Sequence, residues 1–304
     1  MLSFKILTDN RIGTDCRLMS EHGLSIYIQY GGLNILCDTG ASGIFIQNAA
    51  DMGIQLSDTD LCFISHGHSD HTGGVENFLM LPGNNCKVYL SGEIEGKKFY
   101  SSRRGQKREI GTDPAIFEQY GERLQPVWQS QWIAKDIAVV KIAHNLHPRP
   151  SGNIFLSASS GESEFPDNFS HELALAIKCG EGIAIFSPCT HSGIFNAIES
   201  CLEFTGGHNL LAFVGGLHLV DGCESEDEIA SIAKYFTDKY PHAKLYTGHC
   251  TCDSAIKILE KKNGTRKIHN VRNGRPLSPA LTTPGLSYTY FLEGDTPKKI
   301  TLHC

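Results

Sequence analysis

The sequence lacks the features that mark several large classes of protein. Its 27 basic residues are outnumbered by 33 acidic ones, and a net charge of −6 without a long basic tail gives no support to nucleic-acid binding. No apolar run approaches the length that spans a membrane, and residues 1–13 lack the pattern of a secretory signal. We therefore expect no nucleic-acid partner, no membrane insertion and a cytoplasmic location.

A compact disulfide framework is also missing, although the chain contains 11 cysteines. Their number is odd and they are scattered along the chain, so we interpret most of them as reduced core residues in a reducing cytoplasm. Low-complexity linkers are absent, and 304 residues of ordinary globular composition are enough for a sizeable core. We therefore predict a single domain over residues 1–304.

The most informative segment is residues 61–74, with the sequence LCFISHGHSDHTGG. Its apolar start predicts a buried strand that delivers the following polar residues to a sheet edge. His66 and His68 are two residues apart, so both project from one face of an extended backbone. Asp70 and His71 follow where the chain turns into a predicted helix, and they approach the same point from another side.

Imidazole and carboxylate groups at this spacing are typical ligands of Zn, Fe, Ni or Mn. A polar loop with accidental histidines is the alternative, but buried histidines need partners, and three of them occur within six residues beside a buried strand. These groups exceed what one tetrahedral ion needs if further ligands come from elsewhere. The motif therefore predicts two adjacent divalent ions, with zinc favoured.

The His-x-His-x-Asp-His pattern at a strand end resembles the metallo-β-lactamase superfamily. The resemblance implies an α/β fold, an αββα four-layer sandwich with a metal site along one sheet edge. It also implies that Asp38, one strand before the motif, supports the metal cluster, whereas its own context, Asp-Thr-Gly after a strand, favours a turn residue, so both interpretations stay open. Only one Asp-Thr-Gly is present, which excludes an aspartic protease, since such enzymes need two.

Three later blocks repeat one design, in which a strand is followed by a polar turn with a histidine and then a helix. The turns carry His191, His218 and His249, and this design places all three at one end of a sheet. The elements Cys-x-His-x-Gly, Gly-Gly-x-His-Leu and Gly-His-Cys-Thr around them resemble a dihydropterin synthase-like subgroup of the superfamily. We interpret His191 and His249 as metal ligands, and His218 as a catalytic residue that contacts substrate or transfers protons, with a ligand role left open.

Cysteines accompany two of these histidines. Cys189 stands where many superfamily members place a metal-bridging aspartate, so it is either a ligand for a softer metal or a packed small residue. Cys250 and Cys252 are too close in sequence for an ordinary structural zinc pair, and we interpret both as mainly structural.

A basic insertion occupies residues 91–111 of this otherwise acidic chain. It is either a solvated face or a flexible arm that carries cations to a phosphorylated small-molecule substrate. The order Lys98-Phe99-Tyr100-Ser101, Gly105, Arg108, Ile110-Gly111 resembles the same subgroup, which is related to an archaeal 7,8-dihydropterin-6-yl-methyl-4-(β-D-ribofuranosyl)aminobenzene 5′-phosphate synthase. The resemblance favours the second interpretation, with four residues that bind substrate phosphate: Lys98, Arg103, Arg104 and Arg108. We also expect a loop over residues 155–169 and a final hairpin after residue 266.

The predicted site has one ion on His66, His68 and His191. A second ion is held by Asp70, His71 and His249, and Asp70 also keeps the geometry or moves protons. Such a site favours hydrolysis by default, whereas the subgroup resemblance favours a transferase that acts on a phosphorylated pterin-type substrate. A dinuclear hydrolase of phosphoesters or lactones, and a non-catalytic metal-binding or sensor protein, remain alternatives. The oligomeric state is left open.

Overall fold

The structure is a computed structural model that describes residues 1–13, 17–263, 268–270 and 290–292. In chain order, its strands are β1 (Leu2–Thr8), β2 (Ser25–Tyr30), β3 (Leu33–Cys37), β4 (Leu61–Phe63), β5 (Lys87–Ser91), β6 (Lys97–Ser101), β7 (Arg108–Glu109), β8 (Leu124–Val127), β9 (Gln131–Ala134), β10 (Ile137–Lys141), β11 (Leu156–Ser160), β12 (Ser163–Pro166), β13 (Leu173–Cys179), β14 (Gly182–Cys189), β15 (Leu210–Gly216), β16 (Lys244–Thr247), β17 (Ile268–Asn270) and β18 (Tyr290–Leu292). The α-helices are α1 (Ile44–Asp51), α2 (Ser69–Thr72), α3 (Val75–Leu79), α4 (Ala115–Tyr120), α5 (Ile194–Thr205), α6 (Glu226–Lys239) and α7 (Asp253–Asn263).

The first sheet has the strand order β18-β1-β2-β3-β4-β5-β8. Gly31 and Gly32 close the β2–β3 hairpin with φ of 61° and 87°, since a tight hairpin turn needs left-handed backbone. Within this sheet, β3, β4, β5 and β8 run parallel to one another, so the carboxyl ends of β3 and β4 lie side by side. This edge carries the histidine motif.

The second sheet has the order β17-β16-β15-β14-β13-β10-β9. Strands β14 to β17 are parallel, as predicted for the three blocks of strand, polar turn and helix, while β13, β10 and β9 pair in antiparallel fashion. The parallel arrangement brings the carboxyl ends of β14, β15 and β16 to one edge of this sheet.

Three buried layers show how the sheets and helices stack. In β13, Leu173, Leu175 and Ile177 point into the layer between the two sheets, whereas Ala174 and Ala176 point into the layer beneath α5, α6 and α7. The third layer lies between the first sheet and helices α1, α3 and α4. A strand covered on both faces is apolar throughout, and β13 fits this rule. The predicted αββα four-layer sandwich is confirmed.

A third, four-stranded sheet has the order β12-β11-β6-β7, and its strands β6 and β7 belong to the basic insertion. The segment predicted as a flexible arm forms the antiparallel pair β6–β7. The predicted loop over residues 155–169 is wrong, because this segment forms the antiparallel pair β11–β12. Ala158 lies opposite Phe99 of β6 and joins the same buried cluster, which the polar composition of the segment conceals.

The sequence patterns also do not indicate β8 and β9. Both β8 and β9 lie at sheet edges, where short strands suffice, and β8 includes Pro126, which edge strands tolerate. The predicted final hairpin falls largely outside the described residues. Its neighbourhood includes β17, which is parallel to β16, and β18, which is antiparallel to β1.

Candidate metal centre

The histidine motif lies directly after β4, and its side chains are buried at the sheet edge. The ring atoms His66 Nε2 and His68 Nδ1 are 3.0 Å apart, and the two residues are 0% and 4% exposed. Burial, together with the neighbouring imidazoles, holds the pKa of His66 well below its usual value. Neutral imidazoles are the form that binds metal ions, so the environment favours the metal-binding state.

Asp38 orients this motif from the end of β3. Its carboxylate accepts hydrogen bonds from Ser65 N and Ser65 Oγ, both at 2.7 Å, and pairs with His71 Nδ1 at 2.6 Å. Because the carboxylate engages Nδ1, the Nε2 atom of His71 is left to face the site, 3.0 Å from His249 Nε2. The structure thus brings Asp38, His71 and His249 together as the predicted arrangement requires, while their roles stay predictions.

His191 arrives from the second sheet, after β14. Its Nδ1 lies 3.1 Å from Asn153 Oδ1, and its ring stacks on Phe169 with centroids 4.5 Å apart. The Nε2 atom is buried and has no hydrogen-bond partner among the described residues, although the ring lies 5.0 Å from that of His66. A buried polar atom without a partner is costly unless something else satisfies it, and a cation would do so.

His249 is held by residues from the opposite end of the chain. Its backbone N–H donates to Asp9 Oδ2 at 2.8 Å, and its Nδ1 lies 2.9 Å from Asn10 Oδ1. Burial lowers the pKa of His249, but the nearby Asp70 carboxylate, whose Oδ2 is 3.5 Å away, raises it to about 9. Asp9 and Asn10 follow β1, and no local sequence pattern connects them with His249.

Asp70 is the carboxylate of the cluster. Burial raises its pKa, but the imidazoles of His71, His249 and His22 hold it well below its usual value, so the group is ionised. Its Oδ2 lies 3.7 Å from His71 Nε2 and 3.5 Å from His22 Nε2. His22 is a further residue that sequence reasoning missed, since it stands in a loop far from the motif.

Two cysteines and His218 complete the floor of the site. Cys189 Sγ donates to Cys250 Sγ at 3.0 Å and lies 3.5 Å from His218 Nδ1. Although burial raises the pKa of Cys250, hydrogen bonds from Cys189 and His218 hold it well below its usual value. Cys250 was expected to be mainly structural, but it lies at the site, beside Cys189 and His218.

A second buried network lies behind His68. Asp167 Oδ2 is 3.7 Å from His68 Nε2 and 3.1 Å from His171 Nε2, and His171 Nδ1 accepts a hydrogen bond from Gly67 N at 3.0 Å. Burial raises the pKa of Asp167, but the two imidazoles lower it strongly overall. The network holds the backbone and ring of the motif in place. Sequence reasoning missed it, because Asp167 stands in a segment predicted to be a loop.

The donor atoms form overlapping groups that suit a divalent cation. In each group the atoms lie within 4.8 Å of one another, and the groups include Asp38/His66/His71, His66/His68/Asp70, His66/Cys189/His191 and His71/Cys189/His249. All six predicted metal ligands therefore lie together. Cys189 belongs both to a group with His66 and His191 and to a group with His71 and His249. Imidazole, carboxylate and thiolate donors together fit zinc and similar ions.

A cleft of about 550 Å³ opens over these groups. Its lining includes His191, His249 and three of the four residues predicted to bind phosphate, namely Arg103, Arg104 and Arg108. Lys98 is not part of this lining and lies 3.7 Å from Glu109 on the exposed side of the hairpin. Arg11, which sequence reasoning did not single out, also lines the cleft and donates to the carbonyl oxygens of His249 and Thr251.

Comparison with known proteins identifies the fold. Residues 21–85 match the family model of the metallo-beta-lactamase superfamily. The chain is 25% identical, over 280 residues, to the 7,8-dihydropterin-6-methyl-4-(beta-D-ribofuranosyl)-aminobenzene-5′-phosphate synthase of Methanocaldococcus jannaschii, with coverage of 86% of this chain and 92% of the relative.

Among solved structures, one described as a metal-dependent hydrolase of the beta-lactamase superfamily (Tm1679) superposes with a TM-score of 0.73 at 24% identity, covering 96% of this chain and 99% of the other. The Zn(2+)-bound PqqB of Methylobacterium extorquens superposes with a TM-score of 0.53 at 13% identity, covering 95% and 100%. The chain has the metallo-β-lactamase fold, and the predicted resemblance to the superfamily and to the synthase is confirmed. No described helix combines the length and apolarity needed to cross a membrane.

Proposed function

We propose that this chain, which has the metallo-β-lactamase fold, is a metal-dependent transferase for a phosphorylated pterin-type substrate. In the proposed reaction, the amine nitrogen of an arylamine ribosyl phosphate attacks the methylene carbon of a dihydropterin methyl diphosphate. The C–O bond to the diphosphate breaks, pyrophosphate leaves and the amine loses a proton. The similarity to the archaeal synthase over most of both chains supports this choice of substrates.

The observation that carries the proposal is that the candidate metal ligands and three arginines line the same cleft. The guanidinium groups of Arg103, Arg104 and Arg108 border the same cleft as the histidine cluster. Within the part of the chain that the structure describes, none of the three forms an ion pair with a carboxylate, and all three residues are exposed. Free guanidinium groups beside a cation site suit the recognition of a diphosphate and of a sugar phosphate.

The proposed metal ligands are those predicted from the sequence, His66, His68, Asp70, His71, His191 and His249. A divalent ion bound there would stabilise the negative charge on the departing pyrophosphate. The chain's own residues hold and orient the reactants: the arginines bind phosphate, and Asp38 and Asn10 fix the imidazoles of His71 and His249. We place the reaction in the cytoplasm, and every described cysteine is a free thiol.

Pyrophosphate release tests the proposal. Metal-loaded protein is incubated with dihydropterin methyl diphosphate, with and without the arylamine ribosyl phosphate. We expect release that depends on the acceptor, and a loss of about 100-fold or more in His66→Ala, because that variant removes a central ligand. Release without acceptor would identify a metal-dependent phosphohydrolase instead. Silence in both arms would leave a non-catalytic metal protein as the better reading.

The arginines are tested by a matched pair within one hairpin. Arg104→Ala should raise KM for the diphosphate about tenfold, since a charge-assisted hydrogen bond contributes roughly 1.5–3 kcal/mol. Lys107→Ala is the control, because Lys107 pairs with Glu164 and does not line the cleft. An equal change of KM in both variants would show that only the overall charge of the hairpin matters.

A further inference from the structure

We propose that Cys189, His218 and Cys250 form a thiolate-rich cation subsite that takes a thiophilic divalent ion such as Zn²⁺, Co²⁺ or Cd²⁺. The inference deepens the proposed function and rests on it in one respect, since Cys189 also faces the histidine cluster. It changes the reading of Cys250, which the local sequence presents as a structural residue, and it assigns His218 as a ligand in place of proton transfer.

The three donor atoms already converge. Cys189 Sγ lies 3.0 Å from Cys250 Sγ and 3.5 Å from His218 Nδ1, and all three atoms are within 4.8 Å of one another. These residues come from the ends of three adjacent parallel strands, β14, β15 and β16, so the sheet itself sets their spacing. Donors brought together by three neighbouring strand ends form a rigid ligand set.

The backbone between the donors makes room for sulfur. Cys189 is paired with Gly216 across β14 and β15, and a Cβ at Gly216 would collide with Cys250 Sγ. His218 N donates to Cys250 Sγ at 3.2 Å, so the backbone of one proposed ligand fixes the sulfur of another. His218 itself has a φ of 50°, and a non-glycine residue held in the left-handed region is typical of functional sites.

The donor chemistry selects the ion. Two sulfurs and an imidazole nitrogen suit Zn²⁺, Co²⁺ and Cd²⁺, whereas Mg²⁺ and Mn²⁺ prefer oxygen ligands. Cys189, His218 and Cys250 all line the cleft, so an ion can reach them from solvent. The histidine and aspartate ligands cannot supply sulfur, but Cys189 also faces the histidine cluster. The contribution of Cys250 to a thiolate band is therefore the spectroscopic sign of the subsite.

Cobalt titration of the reduced, metal-free full chain tests the inference. Thiolate bound to Co²⁺ absorbs in the near ultraviolet by charge transfer, whereas nitrogen and oxygen ligands do not produce this band. We expect the band in the wild type, and its loss or at least about tenfold weaker Co²⁺ binding in Cys189→Ser and in Cys250→Ser. Cys252→Ser is the matched control, since Cys252 Sγ contacts Ser254 Oγ at 3.0 Å, and it should keep the full band.

Alkylation of the wild-type protein gives a second measurement, which does not depend on whether a variant folds. After brief treatment with iodoacetamide, with and without Zn²⁺, peptide mass spectrometry locates the labelled cysteines. Zn²⁺ should protect Cys189 and Cys250 at least about tenfold, and should leave the labelling of Cys252 unchanged.

Three results would overturn the inference: a wild type without the near-ultraviolet band, an undiminished band in Cys250→Ser, or recovery of Cys189 and Cys250 as a disulfide from reduced protein. The outcome is separable from that of the proposed function. Acceptor-dependent pyrophosphate release without a thiolate band removes the subsite alone, and a thiolate band without turnover removes the proposed reaction alone.

Discussion

At the scale of single residues, the candidate site concentrates unusual backbone. Asp38, His218 and His249 have φ of 58°, 50° and 49°, and each such conformation costs on the order of 1–3 kcal/mol in a non-glycine residue. All three lie just after the ends of strands β3, β15 and β16. The surrounding hydrogen bonds must hold these residues, and the Asp38 carboxylate, which accepts from Ser65 and faces His71, is the clearest case.

Substitution of Asp38→Asn tests the orienting role. Asparagine tolerates left-handed backbone, so the fold should persist. Without the carboxylate charge, however, the proton of His71 is no longer held on Nδ1, and Nε2 is no longer kept free for the metal ion. We expect Zn²⁺ affinity to fall about 10–100-fold in a competition titration with a chromophoric chelator. Asp136→Asn is the control, because Asp136 has a φ of 64° in the β9–β10 turn, away from the site. Equal affinities in the two variants would contradict the role of Asp38.

At the scale of elements, α6 shows how the start of a helix is stabilised by its capping residues. Ser225 Oγ accepts from Glu228 N at 3.3 Å, while Glu228 Oε2 accepts from Ser225 N at 2.7 Å, which completes a capping box. Three acidic residues occupy its first turn and Lys239 its last, in agreement with the helix dipole.

Removal of the cap should lower stability without touching the site. We expect Ser225→Ala to reduce the free energy of unfolding by about 1 kcal/mol in urea denaturation, because an N-terminal N–H loses its acceptor. Ser231→Ala, in the same helix, loses only a bond to Asp227 O and should be neutral or slightly stabilising. Equal losses in the two variants would indicate that helix propensity, and not the cap, sets the result.

At the scale of the whole molecule, the candidate site joins the two sheets. The first sheet supplies His66, His68, Asp70 and His71, and the second supplies Cys189, His191 and His249. Aromatic packing joins the same halves, since Phe4 of the first sheet contacts Phe186 and Tyr246 of the second with centroids 5.6 and 5.2 Å apart. A cation held by both halves would add to this packing.

Metal removal should therefore lower global stability. At free Zn²⁺ of about 100 times Kd, linkage predicts a gain of about 2.7 kcal/mol in the free energy of unfolding relative to protein in EDTA. Thermal denaturation in Zn²⁺, in Mg²⁺ and in EDTA measures it. His66→Ala should reduce the gain, with any remainder coming from Zn²⁺ on Cys189, His218 and Cys250, and Mg²⁺ should give little, because it prefers oxygen ligands. An undiminished Zn²⁺ effect in His66→Ala would show that no ion is held by the histidine motif.

Short-range patterns by themselves indicated most of the long strands and helices and the core of the candidate site, while the resemblance of the histidine motif to the metallo-β-lactamase superfamily implied the fold class. The pair Gly31-Gly32 encodes the β2–β3 hairpin. The apolar run of β13 marks a strand that is covered on both faces. The residues from His66 to His71 are recognisable because all lie within six positions, where strand and helix periods dictate which way they project.

Only the tertiary structure decided which distant groups support that site. Asp9 meets His249 across 240 residues, and Cys189 meets Cys250 across 61. The same holds for the basic insertion, where Arg104 faces the cleft and Lys98 does not. These contacts depend on sheet order and register, which follow from the packing of the whole core, and no local spacing of residues encodes them.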